Sequence, residues 1–267
     1  MLDLKQLTTD VCRIATEVGY FLKEERKNFR RERVVEKHAH DYVSYVDKES
    51  EVCVVKALTA LLPEAGFITE EGSATYQDEP YCWVIDPLDG TTNYIHDEAP
   101  YCVSIALRNR TELLLGVVYE VYRDECFYAW KGGKAFMNGE EIHVSNVEDI
   151  KDAFVITELP YNHLQYKQTA LHLIDQLYGV VGGIRMNGSA AAAICYVAIG
   201  RFDAWMEAFL GKWDYSAAAL IVQEAGGKVT NFYGEDHFIE GHHIIATNGS
   251  LYPVFQKLLS EVPPLNM

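Results

Sequence analysis

Residues 81–85, Tyr-Cys-Trp-Val-Ile, form an apolar run that enters Asp86-Pro87-Leu88-Asp89-Gly90-Thr91-Thr92-Asn93-Tyr94 with no polar spacer. A short apolar run closed by proline and glycine reads as a buried strand ending in a turn. Pro87 fixes φ and removes a backbone donor, so the chain must turn there. Gly90 lets the backbone approach a ligand closely. Two carboxylates three positions apart at the end of such a strand repel each other unless a cation sits between them. A hard divalent ion such as Mg²⁺, which takes oxygen ligands and keeps exchangeable waters, suits them. The same residues also make a plain surface turn, because Asp and Gly are default turn formers. The alternating oxygen ligands and closing glutamate of a calcium loop are absent.

Further acidic turns bear on that choice. Phe67-Ile68-Thr69-Glu70-Glu71-Gly72 is a short apolar run ending in an acidic pair and a glycine. Lys212-Trp213-Asp214-Tyr215-Ser216 precedes the apolar run 217–222, which closes on Gln223-Glu224-Ala225-Gly226-Gly227. This second segment reads as a helix with Asp214 at its start and glycines at its end. Taken alone, Asp214 is an N-cap, and Glu70 and Glu71 are a solvated loop pair.

Taken together, FITEEG (67–72), WVIDPLDGTTNY (83–94) and WDYSAAALIVQEAGG (213–227) resemble the motifs of the inositol monophosphatase family. These are magnesium-dependent, lithium-sensitive sugar phosphatases, and the resemblance in order and spacing runs from about residue 5 to 260. It implies a layered α-β-α-β-α sandwich of the inositol monophosphatase and fructose-1,6-bisphosphatase type, with the active site between two halves and usually a homodimer.

The resemblance also implies roles. Glu70, Asp86 and the backbone carbonyl of Leu88 would hold one Mg²⁺. Asp86 would bridge to a second, completed by Asp89 and Asp214, and Glu70 would touch a third ion through water. Glu70 and Thr91 would position the attacking water, with Asp47 hydrogen-bonding the Thr91 hydroxyl; alone, Asp47 reads as a helix N-cap. The N–H groups of Gly90 and Thr91 would receive phosphate oxygens. Gly188, Ser189, Ala190 and Glu207 would contact the alcohol, and Asp89 would also bond a sugar hydroxyl. Glu207 alone reads as a surface carboxylate.

The activity so implied is hydrolysis of inositol 1-phosphate, or a similar polyol or sugar monophosphate, by in-line attack of a metal-activated water. Alternatives are a fructose-1,6-bisphosphatase, a nucleotide 3′-phosphatase, a histidinol-phosphate phosphatase, a phosphoinositide head-group phosphatase, or a partner-binding member with secondary catalysis. Thr92-Asn93 speaks against the nucleotide enzymes, which resemble Asp-Gly-Thr-Lys-Glu at this point. A bisphosphatase needs a cationic site for its second phosphate, and beyond Arg185 no cluster is visible.

A chain of 267 residues can bury a sizeable core, as one large domain or two intimate halves. Its net charge of −16 argues against non-specific binding to nucleic acid or anionic membranes, which need basic patches. Bound metal ions can still invert the potential of an acidic site for an anionic substrate. The six cysteines show no Cys-x-x-Cys spacing and read as buried free thiols. With charges inside it, the first helical pattern does not resemble a signal peptide, and the most apolar stretch, 190–200, is too short to span a bilayer. A soluble, cytoplasmic protein is expected.

Helical spacing of Leu4, Leu7, Val11, Ile14, Ala15, Val18 and Leu22 predicts an opening helix. The basic stretch 27–37 reads as a loop, and Asp47 precedes a helix over 48–62. Strands are expected over 103–107, 113–122 and 125–130, with an Asn138-Gly139 hairpin after them. Near residue 150 the pattern changes to alternating strands and helices, including a helix over 189–198. This divides the chain into 1–149, an α+β half with an antiparallel sheet and most of the metal ligands, and 150–267, an α/β half supplying Asp214 and the recognition segment. His38, His40, His242 and His243 read as loop histidines, since Mg²⁺ prefers oxygen.

Overall fold

Trp83 and Ile85 bury in one core while Cys82 and Val84, one residue out of step, bury in another. Successive side chains of a strand point to opposite faces, so a strand apolar at every position must be covered on both sides. That requirement sets the layering of the whole chain, for which the computed structural model describes residues 2–38, 41–160, 163–236, 239 and 241–260.

The first half runs α1 (Leu4–Arg26), β1 (Val35–His38), β2 (Asp41–Val43), α2 (Tyr45–Leu61), β3 (Ala65–Thr69) and β4 (Tyr81–Asp89). It continues with α3 (Thr91–His96), β5 (Cys102–Arg108), β6 (Leu113–Glu120), β7 (Glu125–Trp130), β8 (Ala135–Met137) and β9 (Glu140–Glu141). Then come β10 (Phe154–Thr157), α4 (Lys167–Leu177), β11 (Gly183–Arg185), α5 (Ala190–Ala198) and β12 (Ala204–Ala208). The chain closes with α6 (Lys212–Glu224), β13 (Lys228–Thr230), β14 (His243–Thr247) and α7 (Tyr252–Ser260).

Strands β3 to β9 form one sheet in sequence order, antiparallel except for the parallel pair β3–β4. A second sheet has the order β11-β10-β12-β14-β13, with β10 parallel to both of its neighbours. Helices α1 and α2 cover the outer face of the first sheet, with Val11, Leu22, Val54 and Leu58 packed on Trp83, Ile105 and Val117. Helices α5 and α6 lie between the sheets: their Ala, Ile and Val side chains share one core with Val84 and Val118 on one side and with Ile156, Trp205 and Ile244 on the other. The outer face of the second sheet (Val155, Met206, Ile245) packs on Leu173, Leu177 and Phe255 of α4 and α7. The order is therefore α-β-α-β-α, as expected, and α5 is alanine-rich because it is buried on all sides.

Several local readings shift. The helix expected over 48–62 starts at Tyr45, so Asp47 is its third residue and Ser44 is the N-cap. Asp214 likewise stands third in α6, behind Gly211. The basic stretch taken as a loop holds a helical turn at Arg31–Arg33 and the start of β1. Strand β12 and helix α3 carry no separate sequence signal. All six cysteines are free, but Cys53 is exposed and Cys12 and Cys126 are only half-buried. His243 is a buried strand residue, not a loop one: its Nδ1 accepts the Phe232 N–H at 3.1 Å. His242 lies just before it, its Nδ1 2.9 Å from the Leu210 carbonyl. His40 lies outside the described residues. Among the described residues no helix is long and apolar enough to cross a membrane.

Gly116 of β6 faces α6 so closely that a methyl group there collides with the backbone of Ala217. Gly116→Ala is therefore expected to cost about 1–3 kcal/mol of stability, because neither backbone can yield cheaply. Urea unfolding checks this, and an unchanged midpoint would show that sheet and helix are not locked together here.

Candidate active site

Asp86 and Asp89 are three apart, and a regular strand would point them to opposite faces. On the partner strand, however, Asp86 pairs with Ser104 and Asp89 with Cys102, so three steps on β4 match two on β5. This extra residue is a β-bulge, placed where Pro87 has no N–H to offer the ladder. The bulge brings both carboxylates to one face. Gly90 follows at φ 91° and starts α3; a side chain there would strike the Pro100 carbonyl at 2.9 Å.

Helix α6 supplies the third carboxylate. Single oxygens of Asp86, Asp89 and Asp214 lie within 4.8 Å of one another. Glu70, one residue past the end of β3, is the largest neighbouring charge acting on Asp86. Burial first, and then Glu70, Asp89 and Asp214, hold the Asp86 proton affinity well above the carboxylate range. Such a group of hard oxygens is strained without a cation and satisfied by one or two divalent ions. The donor set thus fits Mg²⁺.

Asp47, Asp89 and Asp214 are each anchored at a helix N-terminus. Asp47 Oδ2 accepts the Ser44 N–H (2.8 Å) and hydroxyl (2.6 Å), closing a capping box on α2. Its Oδ1 accepts from the Thr91 hydroxyl at 2.9 Å, and that hydroxyl also lies 3.0 Å from the Leu88 carbonyl. Asp214 Oδ2 takes the Gly211 N–H at 2.7 Å. Asp89 caps a helix of the other half: its Oδ2 accepts from the Ser189 hydroxyl at 2.5 Å and the Ala191 N–H at 2.8 Å, and Oδ1 from the Ala190 N–H at 3.2 Å. Burial raises its pKa, and these bonds pull it back down.

Glu70, Asp89 and Asp214 line one cleft of about 930 Å³, which Gly90, Thr91, Gly188, Ser189, Ala190 and Glu207 also reach. Leu88 and Asp86 lie deeper, both buried, and Asp47 stands behind Thr91. The Ser189 hydroxyl and the Ala190 N–H point at Asp89. Glu207 is no surface carboxylate: it sits in β12, is 9% exposed, and its pKa is raised well above the usual range by burial and by nearby Glu158.

Glu158 and Asn93 escaped the sequence reading. Glu158 Oε1 accepts the N–H groups of Asn187 (2.7 Å) and Gly188 (3.1 Å), and the Asn93 amide donates to the Asn187 carbonyl at 2.7 Å. Together they fix the cleft rim. The signal for Glu158 was available, since it follows an apolar strand directly, as Glu70 does.

The sequence model of the inositol monophosphatase family matches residues 3–263. A Pseudomonas aeruginosa protein named Nus factor SuhB is 39% identical over 236 residues, covering 86% of each chain. Among solved structures, the extragenic suppressor protein suhB from Bartonella henselae superposes with a TM-score of 0.88 at 33% identity, covering 95% of this chain and 98% of its own. An inositol monophosphatase from Anabaena reaches 0.87 at 31% identity, covering 99% of both.

Burial raises the Glu158 pKa to about 7, with its two N–H donors opposing the shift. A carboxyl whose pKa is higher folded than unfolded stabilises the fold in acid, and that contribution is lost as pH rises through about 7. Glu158→Gln keeps both hydrogen bonds through its amide oxygen. It is expected to stabilise the protein by up to ~3 kcal/mol at pH 8 and negligibly at pH 4.5. Unfolding curves at the two pH values test this; equal effects would refute the burial argument.

Proposed function

The chain belongs to the inositol monophosphatase family, and from that premise we propose that it is a Mg²⁺-dependent phosphomonoesterase acting on a small phosphorylated polyol or sugar, with inositol 1-phosphate as the reference substrate. The family is one of phosphatases that in general depend on Mg²⁺. The observation that carries the reading is the convergence of the Asp86, Asp89 and Asp214 oxygens beside a hydroxyl fixed by Asp47.

In this reading Glu70, Asp86, the Leu88 carbonyl, Asp89 and Asp214 hold two or three Mg²⁺ ions. When bound, the metal polarises the phosphate and makes hydroxide available near neutral pH. The chain's own groups do the rest. Asp47 takes the Thr91 hydroxyl proton as a hydrogen bond, which leaves a Thr91 lone pair free to hold a water. Glu70 orients that water and accepts its proton. The N–H groups of Gly90 and Thr91 receive phosphate oxygens. Ser189 and Ala190 act by positioning Asp89, while Gly188 and Glu207 face the alcohol. A homodimer in the cytoplasm belongs to the same proposal.

The names of the bacterial relatives favour a second reading, in which this chain also docks on a macromolecular partner as a factor. The overall charge does not oppose this, because Lys27, Arg30, Arg31 and Arg33 form a local basic segment. Retained docking by a catalytically dead variant would separate the two roles.

Phosphate release from inositol 1-phosphate in Mg²⁺ is expected to vanish on chelation. Asp89→Asn should cost more than the roughly 10–100-fold that loss of an outer-shell partner costs, and Asp47→Asn should fall within that range. Thr91→Ala is expected to lower kcat by about 10²–10⁴. Full activity of Asp89→Asn would end this assignment.

A further inference from the structure

Glu207 is nine-tenths buried, yet no hydrogen-bond donor or basic group among the described residues meets its carboxylate. Every charge acting on it is another carboxylate, Glu158 foremost. Glu158 has one oxygen committed to the rim loop and is equally buried. No Lys or Arg lines the cleft among the described residues.

The charge count makes this pair unusual. Glu70, Asp86, Asp89 and Asp214 carry a formal −4 that two divalent ions offset. Glu158 and Glu207 have no such compensation, so burial raises the pKa of both, and a cation beside them would favour their charged forms. A neutral hydroxyl gives such a pair a single donor, whereas an ammonium gives three donors and a charge. Phe209 lines the same cleft. It is held at φ 75°, a costly conformation for a bulky residue, and its ring contacts Tyr166 and His242. Carboxylates beside an aromatic wall suit an organic cation.

Resting on the phosphatase reading of this cleft, we infer that its alcohol end selects phosphate monoesters whose alcohol carries a protonated amine. Glu207 and Glu158 supply the acceptors. A second phosphate or a carboxylate on the alcohol is repelled by the same two groups.

Matched esters that exchange one ammonium for one hydroxyl test this: 2-aminoethyl against 2-hydroxyethyl phosphate, 3-aminopropyl against 3-hydroxypropyl phosphate, and glucosamine 6-phosphate against glucose 6-phosphate. With wild-type protein in Mg²⁺, kcat/KM is expected to favour the amine by about tenfold in at least one pair, the difference between a charged and a neutral hydrogen bond. Glu207→Gln should bring that ratio to threefold or less. Glu158→Gln, which keeps its rim hydrogen bonds, should lower it in the same direction. No pair above threefold, or a preference that survives Glu207→Gln, overturns the inference. Should no ester turn over, the phosphatase reading fails separately. Calorimetric dissociation constants for the same pairs in Mg²⁺ then decide the amine preference by the same threefold limit.

Discussion

Mutual repulsion among carboxylates crowded at one point is the constraint around which this fold is arranged. Asp86, Asp89 and Asp214 share a space less than 5 Å across, and Glu70 acts on the same point. Without compensation such a group would protonate or unfold the site. The compensation on hand in the chain itself is the helix N-terminus, with its unsatisfied N–H groups and partial positive charge. Asp47 sits on α2, Asp89 on α5 and Asp214 on α6. Three helices from both faces of the first sheet therefore begin at the cleft.

Asp89 shows how this couples the halves. It lies at the end of β4 in the first sheet, yet its donors come from residues 189–191, about a hundred positions on. A proposed metal ligand, a helix cap and a tie between sheets are one side chain. Its Oδ2 is saturated by α5 and its Oδ1 has only one donor, so the second lone pair of Oδ1 is the one left to face a cation. Substitution at Asp89 consequently loosens α5 and the rim loop as well as the metal site.

Much of this was legible in the sequence because the ligands stand where apolar strands end. Glu70, Asp86 and Asp89 each follow a run that only burial explains, and the family resemblance supplied their grouping. The long helices and the central strands were legible too, since their apolar periods are unambiguous. What escaped has physical reasons. The places of Asp47 and Asp214 within their helices were misread, because a carboxylate at the third position that reaches back to the N-cap N–H marks a helix start in sequence as an N-cap does. Helix α3 is six residues of mostly polar or β-branched character, too short to show a period. Strand β12 contains a glutamate that taken alone reads as solvent-facing; the resemblance turned it towards the cleft, and the packed structure shows it there. The β4 bulge, which decides where Asp86 and Asp89 point, is a property of pairing and not of either strand alone.

The two ends of the cleft differ in how their charge is balanced. At the metal end the carboxylates have helix N-termini and a place for divalent ions. At the other end Glu207 has neither, and Glu158 has two backbone donors on one oxygen only. The first acidic group is tied to helix N-termini, whereas burial raises the pKa of this second pair, so ionising it calls for a positive charge. The missing charge is then supplied from outside. In the proposed function the metal would set what reaction takes place, since it would act on the phosphate common to every ester, and the two glutamates would set which alcohol is accepted. The two choices lie on strands of different sheets, β4 and β12, so the alcohol end can change from one chain to another without disturbing the ligands that do the chemistry.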